Sequence, residues 1–235
     1  MSTEKVFLLM PWGRVGSNLI FDILWQQKCF KVGGNEPFSA LGSELNTSAD
    51  LQMSWLNNFL SETQKGLVKT SVQSILNHSD FIEKINEFDA KIIFVNRKNI
   101  IKTAISIVKA RRYSEWHASN FGTPSWATKA GRTLDEKLYV DVNNFIETLK
   151  LVQGAVDTFK KYTTNLIGLT VWYEDLQVDI DSQLSRIFEF IEIEKGPYKV
   201  NHLKAVPDDI SLAVENVQEL KDSVGAYDAS LLKFF

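Results

Sequence analysis

The chain has 235 residues, 44% hydrophobic and 23% charged, with a formal net charge of -3, which is enough for one α/β domain with a substantial core and no Pro-, Gly- or Ser-rich linker to divide it. A pI near 5.7 excludes a general nucleic-acid binder, which carries a basic excess. The single cysteine, Cys29, excludes an intrachain disulfide, reads as a buried structural thiol and leaves no Cys/His metal cluster.

Strands are expected at Val6 to Met10, Gly66 to Thr70, Ile92 to Val95 and Leu166 to Val171, each short and apolar. Helical patterns lie between them at Ser17 to Gln27, Ala49 to Ser61, His78 to Phe88, Asn99 to Arg112, Leu134 to Tyr162, Asp181 to Ile191 and Ser211 to Leu220. This alternation predicts a single α/β domain, a parallel sheet flanked by helices, and the Gly-rich turn after its first strand makes the expected fold one of P-loop type. In the longest pattern Leu138, Val142, Phe145, Leu149, Val152, Val156 and Phe159 alternate spacings of four and three, one apolar stripe that reads as core or as a helix seam able to support a homodimer. Residues 113–133 form a polar, aromatic loop with Tyr113, Trp116, His117, Phe121 and Trp126, and a loop of that length is often a substrate lid. No apolar run approaches the ~20 residues that span a bilayer. The apolar stretch in MSTEKVFLLMPW is too short for a signal peptide, so a cytoplasmic protein is expected.

The chemistry concentrates where the first strand ends. In VFLLMPWGRVGSNLIFDIL, residues 6–24, an apolar run breaks at Gly13 and Gly16, which let backbone approach a ligand. A helix then begins at Ser17 with Leu19, Ile20, Ile23 and Leu24 inward. Amides at such a helix start face an anion. A Walker A loop ends in Gly-Lys-Ser/Thr, whereas Gly16 is followed by Ser17 and Asn18, and the nearest cation is Arg14; this disfavours a P-loop kinase. A second basic segment runs from Lys91 to Arg112 without an acidic residue. Its strand ends in Asn96, Arg97 and Lys98, Asn99 caps the next helix, and the apolar face is Ile101, Ala104, Ile105 and Val108. Ser106 lies off that stripe, two turns from Asn99 and on the same side, where it can face a ligand near Arg97.

The turn carrying Arg14, Val15, Gly16, Ser17 and Asn18 resembles the 5′-phosphosulfate loop of sulfotransferases that use 3′-phosphoadenosine 5′-phosphosulfate (PAPS). A basic residue eight or nine positions before a helical serine resembles their 3′-phosphate site; Arg97 and Lys98 both fit the spacing, and the planar fork of Arg97 suits a phosphate better. GLVKTSVQSI, residues 66–75, resembles the strand with a lysine behind the active site, and TVWYEDLQVDIDSQLSRIFEFIEI, residues 170–193, the Tyr-Glu-Asp-Leu segment. LKAVPDDISLAVENVQEL, residues 203–220, resembles the segment near the adenosine, which would include Leu203 and Lys204. Arg112 to His117, with Asn35 and Glu36, resemble the bacterial carbohydrate (trehalose sulfotransferase-like) type.

The resemblance implies transfer of a sulfuryl group from PAPS to a hydroxyl of a carbohydrate or glycolipid, with 3′,5′-adenosine bisphosphate (PAP) as product and no metal. Arg14, the turn amides and Lys69 would stabilise the departing phosphate. Glu36 would take the hydroxyl proton, with His117 the next candidate because imidazole titrates near neutrality. Where many family members have Lys-Thr-His, this chain has Lys69, Thr70 and Ser71, so the base must lie elsewhere. Glu174 and Asp175 read as caps or as partners of basic neighbours rather than metal ligands. A nucleotide or nucleoside kinase, or a non-catalytic adenosine-bisphosphate-binding protein, are the alternative readings.

Overall fold

The structure is a computed structural model describing residues 4–39, 44–112, 137–200 and 209–235. Two compact units emerge, one of residues 1–98 with 155–199, the other of residues 99–154 with 200–235.

The first unit is built on a five-stranded sheet. Its strands are β1 (Lys5–Met10), β2 (Val32–Asn35), β3 (Gly66–Ser71), β4 (Lys91–Asn96) and β5 (Leu169–Trp172), in the order β2-β3-β1-β4-β5, with every pairing parallel. Alternation along β1 sends Val6, Leu8 and Met10 into one core cluster and Phe7 and Leu9 into another. The helices α1 (Ser17–Gln26) and α7 (Ile180–Phe190) pack Ile20, Ile23, Leu24, Leu184, Ile187 and Phe188 into the first cluster. The second receives Leu56, Phe59 and Leu60 from α2 (Ala49–Ser61) and Phe81 and Ile85 from α3 (His78–Glu87). A sheet covered on both faces explains why the inner strands β1 and β4 read as unbroken apolar runs from Val6 to Met10 and from Ile92 to Val95. Helix starts follow local chemistry: Ser48, Asn77 and Asp179 each accept a first-turn N–H through the side chain, removing an otherwise unsatisfied donor.

The second unit holds α4 (Ile100–Arg112), the amino-terminal part of α5 (Val142–Thr163), a 3-10 turn at Ile210–Leu212, α8 (Val217–Asp228) and a closing 3-10 segment, Ala229–Phe234. Ile101, Ala104, Ile105, Phe145, Leu149, Leu220 and Val224 share its core. Asn216 clamps Val140 by accepting from its N–H at 3.0 Å and donating to its carbonyl at 2.9 Å.

Several expectations are corrected. β2 has no counterpart among the expected strands. Gly33 there has φ 146, and a Cβ on it would stand 1.8 Å from the Leu67 carbonyl oxygen, so close approach to β3 selects glycine where a strand former is the usual signal. β5 begins at Leu169 rather than Leu166. α5 begins at Val142, not Leu134, because Leu138 forms a parallel bridge with Val214. Its buried stripe runs through Ala155, with Val156 only half-buried. Ser211 to Leu220 is not one helix: the turn at Ile210–Leu212 ends before α8 starts. A further helix, α6 (Tyr173–Val178), follows β5 directly. Cys29 is half-buried rather than buried, and desolvation raises its thiol pKa. Among the described residues no helix is long and apolar enough to cross a membrane.

Candidate active site

The contacts of the turn, Lys69, Arg97 and Lys98 given below lie within the first unit. After β1 the chain leads to β2 and β3 on one side of the sheet, whereas after β4 it leads to β5 on the other. The carboxyl ends of β1 and β4 therefore flank a topological switch point, the place where open α/β sheets receive ligands.

The turn after β1 is shaped by two left-handed residues, Arg14 (φ 69) and Gly16 (φ 83). Gly16 is the residue before α1, and its carbonyl accepts from Leu19 and Ile20 at 3.1 and 3.4 Å. Glycine's freedom is used at Gly16; a Cβ on Gly13 would meet nothing within 4 Å. Val15 and Ser17 are buried. The amides of Ser17 and Asn18, at the start of α1, precede the first hydrogen bond of the helix, which Leu19 makes to Gly16, and such amides point along the helix axis.

Behind this turn stands Lys69, fully buried near the end of β3. Its ammonium donates to Asn18 Oδ1 and pairs at 2.8 Å with Glu36 Oε1, whose side chain is 34% exposed. Burial lowers the Lys69 pKa; Glu36 opposes that shift and the charge of Arg14 adds to it. Glu36 adopts φ 58, and its N–H donates to the Lys69 carbonyl at 2.7 Å. Parallel pairing of Asn35 with Lys69 brings the next residue, Glu36, beside that lysine. One carboxylate oxygen of Glu36 thus holds the buried lysine, while its side chain is partly exposed.

Arg97, just past β4, donates from Nη1 to the Arg14 carbonyl at 3.1 Å, and its guanidinium lies 4.5 Å from the Tyr173 ring centroid. Lys98 is exposed and turned to α6: its N–H donates to Glu174 at 3.0 Å and its ammonium to Asp175 at 2.9 Å. Asp175 is thus the partner of a basic neighbour and Glu174 accepts from that residue's backbone, while Arg97, just past β4, reaches the turn. Among the described residues no group of three or more His, Cys, Asp or Glu side chains is placed to hold a metal ion.

Ser106 lies in α4, which belongs to the second unit. Asn99 caps this helix as expected, accepting from Lys102 N–H at 2.8 Å. Burial of α4 is not confined to the apolar stripe: Thr103, Ser106, Ile107, Lys109 and Ala110 are buried along with it. The residue pattern does not reveal this, because periodicity reports an apolar face but not what covers the other. His117, Leu203, Lys204 and the loop at 113–133 lie outside the described residues. Sequence reasoning missed the Asn18–Lys69 contact and the role of Tyr173 against Arg97; no local signal carries either, since the partners stand 51 and 76 positions apart.

No family model matches the chain, and no curated protein matches it by sequence. Solved structures do. A sulfotransferase from Alicyclobacillus acidocaldarius is 12% identical with a TM-score of 0.53, over 100% of this chain and 94% of that one. Mouse sulfotransferase SULT7A1, solved in complex with PAP, is 13% identical with a TM-score of 0.49, over 100% and 89%. At such identities the first likeness is one of fold: a parallel α/β sheet flanked by helices, as in the bacterial sulfotransferase.

Proposed function

We propose that the chain is a sulfotransferase, moving a sulfuryl group from PAPS to a hydroxyl on a carbohydrate or glycolipid. One observation carries this reading: a phosphate turn with two left-handed residues is joined, through the buried Lys69, to a partly exposed carboxylate. That pairs an anion cradle with a base, the two parts an in-line transfer to a hydroxyl requires. A Walker-type kinase would instead have its lysine inside the turn and a metal-holding aspartate at the next strand end.

In the reaction the acceptor oxygen bonds to sulfur while the bond from sulfur to the 5′-phosphate oxygen breaks. Arg14 and the amides of Gly16, Ser17 and Asn18 would hold the phosphosulfate end and the charge that develops there. Glu36 would take the hydroxyl proton. Lys69 would orient Glu36 and, as a positive charge beside the turn, also favour the departing anion. Arg97 and Ser106 are assigned to the 3′-phosphate on their sequence pattern, with Lys98 in second place because its ammonium pairs with Asp175. Leu203 and Lys204 are assigned to the adenosine and His117 to the acceptor side on the same ground. The chemistry needs no metal, because a sulfuryl group carries less charge than a phosphoryl group.

The test is calorimetric titration with PAP, beside ATP with Mg²⁺, on wild type, Arg97→Ala and Ser106→Ala. Metal-independent PAP binding that weakens in both variants is expected, followed by sulfation in a screen of sugar acceptors. Absent PAP binding with strong Mg-ATP binding overturns the reading.

A further inference from the structure

Arg97 makes two contacts that no 3′-phosphate explains. Its Nη1 donates to the carbonyl of Arg14, one of the two left-handed residues of the turn. Its guanidinium also rests on Tyr173, and the same ring fills the space beside the other left-handed residue: Tyr173 Cδ2 is 2.7 Å from where a Gly16 Cβ would be. Tyr173 is held in turn, because its hydroxyl accepts from Gln177 Nε2 at 3.2 Å. Glu174 and Asp175, the next two residues of α6, grip Lys98. The carboxyl ends of β4 and β5 are thereby tied together, and the turn after β1 is tied to both.

We infer that Arg97 and Tyr173 are positioning residues for the turn at 11–16, a strut that holds it in its anion-receiving shape independently of any anion that Arg97 itself carries. The physical reason is that left-handed backbone is costly at a non-glycine residue such as Arg14 and persists only where its surroundings impose it. A guanidinium suits this role because its planar fork can donate to a carbonyl along one edge while its face lies on an aromatic ring, which an ammonium cannot reproduce. The strut couples the two ends of the ligand site through the protein, so a change at Arg97 is felt at the 5′ end. This rests on the proposed reading of the turn as a 5′-phosphosulfate cradle.

The experiment compares two probes: PAP, and adenosine 5′-phosphosulfate, which has the 5′ end and no 3′-phosphate. If Arg97 is a strut, Arg97→Ala weakens adenosine 5′-phosphosulfate by about tenfold, the scale of one hydrogen bond to a charged group, and weakens PAP further. Free guanidinium then restores part of the loss, which a general loss of structure does not allow. Tyr173→Phe keeps the ring and binds within about twofold of wild type, whereas Tyr173→Leu falls with Arg97→Ala. Arg97→Lys, which keeps the charge, serves if the alanine variant does not fold, and is expected to lose adenosine 5′-phosphosulfate affinity as well. Wild-type binding of both probes with Arg97 variants weakened toward PAP alone overturns the strut and leaves the proposed function standing. A wild type that binds neither probe overturns both.

Discussion

Replacing Gly16 with alanine tests the shape of the turn. Gly16 has φ 83, and an added Cβ would lie 2.7 Å from Tyr173 Cδ2. A left-handed conformation costs an L-residue about 1–2 kcal/mol. Forcing the Tyr173 ring aside adds overpacking of about 1–3 kcal/mol, while the stiffer unfolded chain returns about 0.4–1 kcal/mol. The net expectation is a loss of about 1–5 kcal/mol, a substantial share of a typical stability of about 5–15 kcal/mol. Gly13→Ala is the matched control: a Cβ there meets nothing within 4 Å and no left-handed φ is required, so its effect is expected within about 0.5 kcal/mol. Urea unfolding of both variants beside wild type, followed by fluorescence and circular dichroism, gives the two differences. For a chain of this size, where 1 kcal/mol moves the midpoint by about 2 °C, the Gly16 variant should also melt lower by about 2–10 °C. Equal stability of the two variants would refute the account of the turn, because the left-handed backbone and the Tyr173 contact separate them.

Other changes probe the groups behind the turn. Glu36→Gln should lower turnover by about a hundredfold or more if the carboxylate is the base, with PAP affinity held within about twofold by calorimetry; near-normal turnover would remove Glu36 from that role. Burial lowers the Lys69 pKa from 10.5, so between the folded value and 10.5 the unfolded chain binds more protons and stability rises with pH. Lys69→Met lacks that increment, and urea midpoints at pH 8 and 10.5 should show wild type gaining on the variant; a constant difference between the two sinks the assignment. His78 stacks on Tyr162 with ring centroids 4.4 Å apart and contacts the Val72 carbonyl at 2.9 Å. Burial lowers its pKa from 6.5 despite that carbonyl, with Lys161 adding to the shift. Its contribution is therefore complete above pH 6.5 and is lost as pH falls through the folded value. His78→Phe should flatten the acid limb of the stability profile between pH 7 and 5, and an unchanged limb would rule the histidine out as its source.

What could be read from the residues in order was what short-range physics settles. Val6 to Met10, Ile92 to Val95 and the helices at Ala49–Ser61 and His78–Glu87 lie where apolar spacing and capping side chains put them, since each pattern is complete within a dozen residues. Asn99 as a cap and Gly16 at the bend belong to the same class, because capping and left-handed backbone are local demands. Other features needed partners from far along the chain. β2 exists because Gly33 allows the backbone to lie against Leu67, and a Val-Gly-Gly-Asn run has no strand propensity to announce it. α5 starts late because Leu138 is drawn into a bridge with Val214, a competition invisible to helical periodicity. Most consequentially, the presence of Lys69 and Glu36 is plain in the sequence, but their meeting is not. Only the pairing of β2 with β3 sets the carboxylate beside the buried ammonium, and only α1 turns Asn18 onto the same lysine. Composition and local pattern thus determine the elements and their chemical inventory, whereas the burial of a charge and the identity of its partner are decided by tertiary contact, where desolvation makes that choice costly to get wrong.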